Sequence, residues 1–115
     1  MTMTNITIPM ISAATFVMEE SKKLQGTLAL ARAKDLISKN EYEAAATFLL
    51  RIGDLCKAIS EEKITMIDYY AESIDKLSHE KENEIENGLS KAATLNEIAF
   101  KNFFGWMEEL EKVMI

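Results

Sequence analysis

Residues 41–60 read EYEAAATFLLRIGDLCKAIS, and this stretch decides the fold class of the chain. Apolar or small side chains recur in it every three or four residues, which is the spacing of one face of an α-helix. That face consists of Tyr42, Ala45, Ala46, Leu49, Ile52, Gly53, Cys56 and Ile59. The stretch therefore predicts a helix that buries one side against another helix.

The preceding segment supplies a second helix with the same period. Ser12 is a candidate N-cap, and we expect this helix to run to about Ser38. Its predicted buried face is Ala14, Val17, Ser21, Leu24, Leu28, Ala31 and Asp35. Gly26 lowers helix stability by about 1 kcal/mol relative to Ala, which a close crossing of another backbone would offset. Asn40 is the expected turn or N-cap residue between the two helices, which form a hairpin.

The second half of the chain predicts two longer helices. Ser60 is a candidate N-cap for the first of them. Its apolar face is Ile64, Ile67, Ala71, Ile74 and Leu77. Residues 78–84 are polar on every side, so this helix either projects beyond the bundle or breaks there, with Gly88 as a C-terminal stop. Ser90 then caps a last helix that runs to about Met114.

Length and composition agree with an all-α domain. The 115 residues contain four Gly and one Pro, too few of the turn residues that a β-sandwich or barrel needs. The N-terminus differs, because β-branched residues alternate there and Pro9 disfavours a helix at Ile8. We therefore expect a small bundle of about four helices, a helical hairpin plus two longer helices, within one domain over residues 11–115. Residues 1–10 are expected to form an extended or disordered tail.

The net charge of −6 is distributed unevenly along the chain. Residues 1–60 carry seven basic and six acidic side chains, whereas residues 61–115 carry six basic and thirteen acidic ones. Nucleic acids and anionic membranes are bound through clusters of Lys and Arg, which this sequence lacks. We therefore expect no direct binding to nucleic acid or membranes. The acidic half either attracts a basic protein or is a solvated surface that keeps the chain in solution.

Cys56 is the lone cysteine, so the chain cannot form an intrachain disulfide. A free thiol is typical of a reducing compartment, and no apolar run reaches the roughly 18 residues that span a bilayer. We therefore expect a cytoplasmic protein. The uncharged leader at residues 1–12 favours the alternative, an export signal that is recognised by its composition.

The sequence offers no set of residues that would carry out catalysis or hold a metal ion or cofactor. Cys56 lies on a predicted apolar face, away from the polar stretch that contains His79, and no glycine-rich phosphate loop is present. Glu72 and Asp75 have half of the spacing that a helical magnesium site uses, but no Glu-x-x-Glu pair precedes them. We therefore expect a protein that is not an enzyme and uses no cofactor.

Residues 100–107 read FKNFFGWM, and this aromatic segment holds four of the nine aromatic side chains. At helical spacing, one predicted buried face is Leu95, Ile98, Ala99, Phe103, Trp106 and Leu110. Phe100, Phe104 and Met107 point elsewhere, so one buried face cannot cover the whole segment. The segment is either core or a protein-binding surface. The candidate partner-binding residues are Phe100, Phe103, Phe104, Trp106 and Met107.

Acidic side chains follow the predicted third helix at steps of three or four residues, on the same face as His79. This acidic row consists of Asp68, Glu72, Asp75, Glu82 and Glu86. A di-iron site would need Glu-x-x-His pairs on two helices, so a solvated acidic face explains the row better than a metal site does. As a functional surface, the row would steer a basic partner toward the chain.

These patterns together predict a non-catalytic protein-binding module. The preferred hypothesis is a small acidic inhibitor, immunity protein or antagonist that binds and blocks a basic, nucleic-acid-handling protein. In this hypothesis the acidic row steers the partner and the aromatic segment is the buried anchor. The alternative is a secretion chaperone, or a structural subunit that assembles, for example as a homodimer, through its aromatic C-terminal helix.

Overall fold

The computed structural model describes residues 5–114, and this part of the chain folds into five α-helices without a strand. The helices are α1 (Ile8–Ala33), α2 (Lys39–Ser60), α3 (Ile64–Glu80), α4 (Glu82–Ala93) and α5 (Glu97–Met114). The all-α prediction is confirmed. The predicted number of about four helices is one too low, because the predicted third helix is divided into α3 and α4.

Helix α2 lies at the centre of the bundle. α1 packs along it as the other half of a hairpin, α3 and α4 also pack on α2, and α5 returns to α1. Leu24 and Leu28 of α1 and Leu49 and Ile59 of α2 are completely buried in the core. The buried hydroxyl of Ser21 donates a hydrogen bond to the Leu49 carbonyl oxygen at 3.1 Å, so the hairpin leaves that polar group satisfied.

The first helix begins earlier than the sequence predicts. Thr7 is its N-cap and accepts a hydrogen bond from the amide of Met10. Pro9 occupies the first turn, where an amide hydrogen would have no partner within the helix in any case. The predicted tail is therefore wrong from Ile8 onward, and Ser12 lies inside the helix instead of capping it. Residues 1–4 of that tail lie outside the described residues.

The turn of the hairpin also differs from its prediction. α1 ends at Ala33 instead of about Ser38, because Asp35 takes the left-handed conformation, with a φ of 59°, that commonly ends a helix. Ser38 then caps α2 through a reciprocal pair of hydrogen bonds with Glu41. Asn40, the predicted cap, is the second residue of α2.

The boundary between α2 and α3 is later than predicted. Ser60 is the last residue of α2 and does not cap α3. Glu62 follows with a left-handed φ of 56°, and α3 starts at Ile64 without a side-chain cap. A sequence pattern does not reveal that Glu62 is left-handed. The prediction therefore placed the helix boundary at Ser60, which is the better capping residue.

The polar stretch at residues 78–84 contains the break that was one of its two predicted outcomes, since α3 ends at Glu80 and α4 begins at Glu82. Gly88 does not end a helix, because it lies buried inside α4. Ser90 also lies inside α4 and does not cap the last helix. That helix, α5, is capped by Asn96, whose side-chain oxygen accepts a hydrogen bond from the amide of Ala99.

The close helix crossing predicted at Gly26 occurs at a different glycine. No atom lies within 4 Å of where a Cβ would be at Gly26. At Gly88 an added Cβ would lie 2.7 Å from the carbonyl oxygen of Glu41. The missing side chain of Gly88 therefore lets α4 lie close against the backbone of α2.

Candidate protein-binding cleft

The aromatic segment divides between the core and the surface. Phe103 is fully buried and Phe100 is 5% exposed, whereas Phe104 is 49% exposed. Trp106 stacks on Phe16 of α1, with ring centroids 4.3 Å apart and planes 13° from parallel. The segment thus fixes α5 to α1 and also presents the ring of Phe104 at the surface.

The buried face of α5 differs from the one that helical spacing predicts. Ile98 was predicted to be buried but is 75% exposed, whereas Phe100 was predicted to point away from that face but is buried. α5 packs on both α1 and α4, so its buried surface spans more than one stripe. Spacing along one helix cannot show the directions from which two neighbouring helices approach.

A cleft of about 620 Å³ opens beside α5. Its walls come from α2, the end of α3, α4 and the first turns of α5. The lining residues are Phe48, Ser78, His79, Glu82, Ile85, Glu86, Leu89, Ser90, Ala93, Phe100, Lys101 and Phe104. The buried members are apolar and the charged members are exposed, so the cleft has an apolar interior and a charged rim.

The acidic row does not follow a single helix. Asp68, Glu72 and Asp75 belong to α3, whereas Glu82 and Glu86 belong to α4, on the other side of the break. Only Glu82 and Glu86 of the row line the cleft. The structure therefore brings part of the acidic row next to part of the aromatic segment, a juxtaposition that the sequence alone did not indicate.

The rim of the cleft is mixed in charge, with the acidic side chains of Glu82 and Glu86 and the basic side chains of His79 and Lys101. His79 lies 2.8 Å from the Asp75 carbonyl oxygen through its Nδ1 atom. This hydrogen bond, followed by the nearby Asp75 carboxylate and more weakly by Glu82, raises the pKa of His79 above its ordinary value. Lys101 is the cation on the α5 side of the cleft. A basic partner would therefore meet two carboxylates on α4, with His79 at the end of α3 and Lys101 on α5 as the basic groups of the same rim.

An ion pair holds the α4 wall of the cleft in place. Lys91 Nζ lies 3.0 Å from Glu41 Oε2, which joins α4 to the first turn of α2. The Ser38 amide and Lys91 both donate hydrogen bonds to the Glu41 carboxylate and keep the pKa of Glu41 below its ordinary value. The sequence did not indicate that Glu41 and Lys91 form a pair, because the two residues are fifty positions apart.

The reactivity of the Cys56 thiol is set by its burial. Cys56 is completely buried, and its burial raises the thiol pKa to about 12, so the reactive thiolate is scarce at neutral pH. Among residues 5–114, no group of three or more His, Cys, Asp or Glu side chains is arranged to hold a metal ion. Within the same residues, no helix is both long enough and apolar enough to cross a membrane.

Sequence reasoning missed three residues that form the interior of the cleft. Phe48 of α2 lies off the predicted buried face. Ile85 and Leu89 of α4 lie beyond the polar stretch, where the apolar spacing of the predicted third helix resumes. The available signal in the sequence was Phe48, a large aromatic residue that lies off the predicted buried face of α2.

Comparison with models of protein families, with curated proteins and with solved structures found no match to this chain.

Proposed function

We propose that this chain is a non-catalytic acidic protein that binds and blocks a basic, nucleic-acid-handling protein, as an inhibitor, immunity protein or antagonist does. The observation that carries the proposal is the cleft, where Phe100 and Phe104 lie beside the carboxylates of Glu82 and Glu86. An apolar interior with a polar rim is the usual make-up of a protein-binding surface. We place this activity in the cytoplasm, where a lone reduced thiol at Cys56 is ordinary.

The charge distribution supports a basic partner. The net charge is −6, and residues 61–115, which include α3, α4 and α5, carry thirteen of the nineteen acidic side chains. A field of one sign speeds the encounter with a partner of the opposite sign, and this effect weakens as salt is added. Asp68 and Glu72, outside the cleft, would contribute to this long-range attraction without touching the partner.

Phe104 is the residue through which we expect the partner to gain most of its apolar contact. It is half exposed at the cleft, and aromatic rings at the centre of an interface often carry much of the binding energy. Met107 is partly buried and lies one turn further along α5. Phe103 and Trp106 would act indirectly, because Phe103 is enclosed by the core and Trp106 is stacked on Phe16.

The test compares two double charge reversals. Glu82→Lys/Glu86→Lys alters the cleft, and Glu19→Lys/Glu62→Lys makes the same change of net charge at exposed positions that do not line it. Each protein is immobilised and exposed to a nuclease-treated lysate of the source cells. The proteins retained by the wild type are identified and purified, and their activity on nucleic acid is titrated with each variant.

We expect the wild type to inhibit a basic protein at near-equimolar amounts. We expect the cleft reversal to weaken inhibition at least tenfold, because it places like charges directly opposite a basic partner. We expect the control reversal to stay within about threefold of the wild type, because exposed charges far from the partner are screened by salt. Equal inhibition by both reversals would contradict the role of the cleft. A retained protein that is acidic or unrelated to nucleic acids would contradict the proposed partner.

One observation favours the alternative, a chain that assembles with itself through its C-terminal helix. Ile98 and Phe104 of α5 are 75% and 49% exposed, and exposed apolar side chains on one helix are typical of a self-associating surface. A homodimer would cover these side chains, and a secretion chaperone would use them on a client protein. The oligomeric state of the chain separates the assembly reading from the proposed function.

A further inference from the structure

The cleft is one end of a longer groove. A second cavity of about 470 Å³ adjoins it, and Ser78 of α3 lines both. On α5 the wall passes from Phe104 in the cleft to Met107 and Met114 in the second cavity. On α2 the floor passes from Phe48 to Ile52. The residues of the two cavities follow one another on successive turns, so they form one continuous groove.

The groove exists because α3 and α5 do not pack on each other. Among residues 5–114, both helices lie against the α1–α2 hairpin, and no Cα atom of α3 comes within 8 Å of one of α5. The two helices run in opposite directions along the groove, since the end of α3 faces the beginning of α5. The space between them has the form of a bundle from which one helix is missing.

We propose that this groove binds one amphipathic, basic α-helix of the partner protein. This inference rests on the proposed function and specifies how the partner is recognised. The α5 wall from Phe100 to Met114 extends about 21 Å at 1.5 Å per residue, and the α3 wall from Ala71 to His79 about 12 Å. A helix of about two turns therefore lies against both walls, and a longer helix would continue along α5 for about two turns more.

Charge complementarity specifies the polar side of the bound helix. The acidic groups that line the groove are Asp75, Glu82, Glu86 and Glu111, and the basic ones are His79 and Lys101. Acidic side chains occur at both ends of the groove, whereas Lys101 and His79 lie at the cleft end. A bound helix with Lys or Arg on both flanks of its apolar face would meet carboxylates along its length.

The apolar side of the groove specifies the face that enters it. Ile52 and Leu110 are buried, and Ile74 and Met107 are partly buried, so the groove offers flexible and branched aliphatic contacts along its length. A helix that presents Leu, Ile or Met at positions i, i+3, i+4 and i+7 would fill such a groove. Methionine side chains at Met107 and Met114 can adjust to partners of different shape.

The test uses a designed peptide, because the partner is unidentified. The probe is a fluorescein-labelled 18-residue peptide with Leu at positions i, i+3, i+4 and i+7 of two turns and Lys on both flanks. One control peptide has the same composition with Leu distributed around the helix. A second control replaces every Lys by Glu. Binding to the full chain is measured by fluorescence anisotropy at low and moderate salt.

The protein variants are chosen to separate shape from charge. Ser78→Trp fills the point that both cavities share, and Asn83→Trp places the same side chain at an exposed position that does not line the groove. Phe104→Ala removes a half-exposed ring and serves as the second groove variant if Ser78→Trp fails to fold. Circular dichroism and thermal unfolding establish that each variant is folded.

We expect the patterned basic peptide to bind at least tenfold more tightly than either control peptide. We expect Ser78→Trp to weaken its binding tenfold or more and Asn83→Trp to leave it within about twofold. Equal binding of the patterned and redistributed peptides would overturn the helix-in-groove inference but would leave the charge-based proposed function standing. A wild-type dimer that Ser78→Trp converts to a monomer would also overturn it, because a second copy would then occupy the groove.

The failure of the proposed function has a different signature. The peptide could bind the groove as expected while the inhibition of a whole basic protein is insensitive to Glu82→Lys/Glu86→Lys. In that case the groove would bind basic helices, but the cleft would not be the place where a nucleic-acid-handling protein is blocked. The two experiments therefore fail independently.

Discussion

Phe103 and Phe104 are adjacent in sequence but lie in different environments. They show that the aromatic segment contributes side chains both to the core and to the cleft. The ring of Phe103 is completely buried, whereas that of Phe104 is half exposed. Their rings meet edge to face, with centroids 5.3 Å apart. The same residue type therefore serves the core at one position and the cleft at the next.

We expect Phe103→Ala to lower the free energy of unfolding by about 3–5 kcal/mol, because it leaves a cavity in the core. We expect Phe104→Ala to lower it by about 1 kcal/mol or less, because that ring is already half in water. Urea denaturation followed by circular dichroism measures both values. Equal losses for the two variants would mean that Phe104 belongs to the core and is not available to a partner.

Gly26 and Gly88 form a second matched pair at the scale of single residues. Both lie inside helices, where Ala is favoured over Gly by about 1 kcal/mol. The surroundings differ, since a Cβ at Gly26 would meet no atom within 4 Å, whereas one at Gly88 would lie 2.7 Å from the Glu41 carbonyl oxygen.

We expect Gly26→Ala to raise the free energy of unfolding by about 0.5–1 kcal/mol through the higher helix propensity of Ala. We expect Gly88→Ala to lower it by about 1 kcal/mol or more, because α4 must move away from α2. Thermal unfolding of the two variants beside the wild type is the measurement. A gain in stability for Gly88→Ala would contradict the close approach of α4 to α2.

At the scale of elements, α4 is positioned by backbone contact and by one ion pair. Gly88 lets it lie against α2, and Lys91 reaches Glu41 across the same interface. The short helix is separated from α3 by the bend at Lys81, whose φ of −126° and ψ of 28° are not helical. Glu82 and Glu86 follow this bend and line the cleft, although they continue the spacing of the acidic row.

The Glu41 contacts predict a pH dependence of stability. A carboxyl whose pKa is lower in the folded than in the unfolded chain stabilises the fold above its unfolded pKa, and this contribution is lost as pH falls through the folded pKa. We therefore expect Glu41→Gln to be less stable than the wild type at pH 7. The difference between them should shrink as the pH falls below about 4.

Glu43→Gln is the control for this pH experiment. Glu43 lies in the same first turns of α2, but its pair with Lys39 is exposed and the two charged atoms are 3.9 Å apart. Exposed pairs of this kind contribute about 0–1 kcal/mol, so we expect little change in its thermal unfolding between pH 3 and pH 7 relative to the wild type. A pH profile of Glu41→Gln parallel to that of the wild type would contradict the role given to Glu41.

At the scale of the whole molecule, the short third dimension of the bundle explains why the groove remains open. The principal extents are 44 × 27 × 19 Å, and packed helices lie 8–10 Å apart, so the shortest dimension holds about two layers of helices. α3 and α5 both lie against the hairpin without meeting. The other four helices do not cover α2 completely, and the groove between α3 and α5 is one part left uncovered.

We expect the wild type to be a monomer in solution, since the proposed function reserves the groove for another protein. Light scattering coupled to size exclusion measures the molar mass of the wild type and of Trp106→Ala and Ile98→Lys. Trp106→Ala should remain a monomer of reduced thermal stability, because it loses the stack on Phe16. A wild-type dimer that Ile98→Lys dissociates would instead favour the self-assembling subunit.

The sequence by itself determined the fold class and the composition of the surface. Periodic apolar positions define helices whatever their neighbours are, so residues 41–60 were sufficient to identify α2 and its need for a partner. The burial of Cys56 also followed from its place on that face. The acidic row and the aromatic segment were found for the same reason, because both are local patterns of spacing or composition.

The tertiary structure alone decided the helix boundaries, the buried face of α5 and the cleft. Helix ends at Asp35 and Glu62 depend on left-handed backbone conformations that compete with nearby capping residues by small differences in free energy. The exposure of Ile98 and the burial of Phe100 depend on which helices approach α5. The presence of Glu86 and Phe104 in one cleft depends on how α4 and α5 are placed around α2. Such contacts join residues distant in the chain, and local spacing carries no information about them.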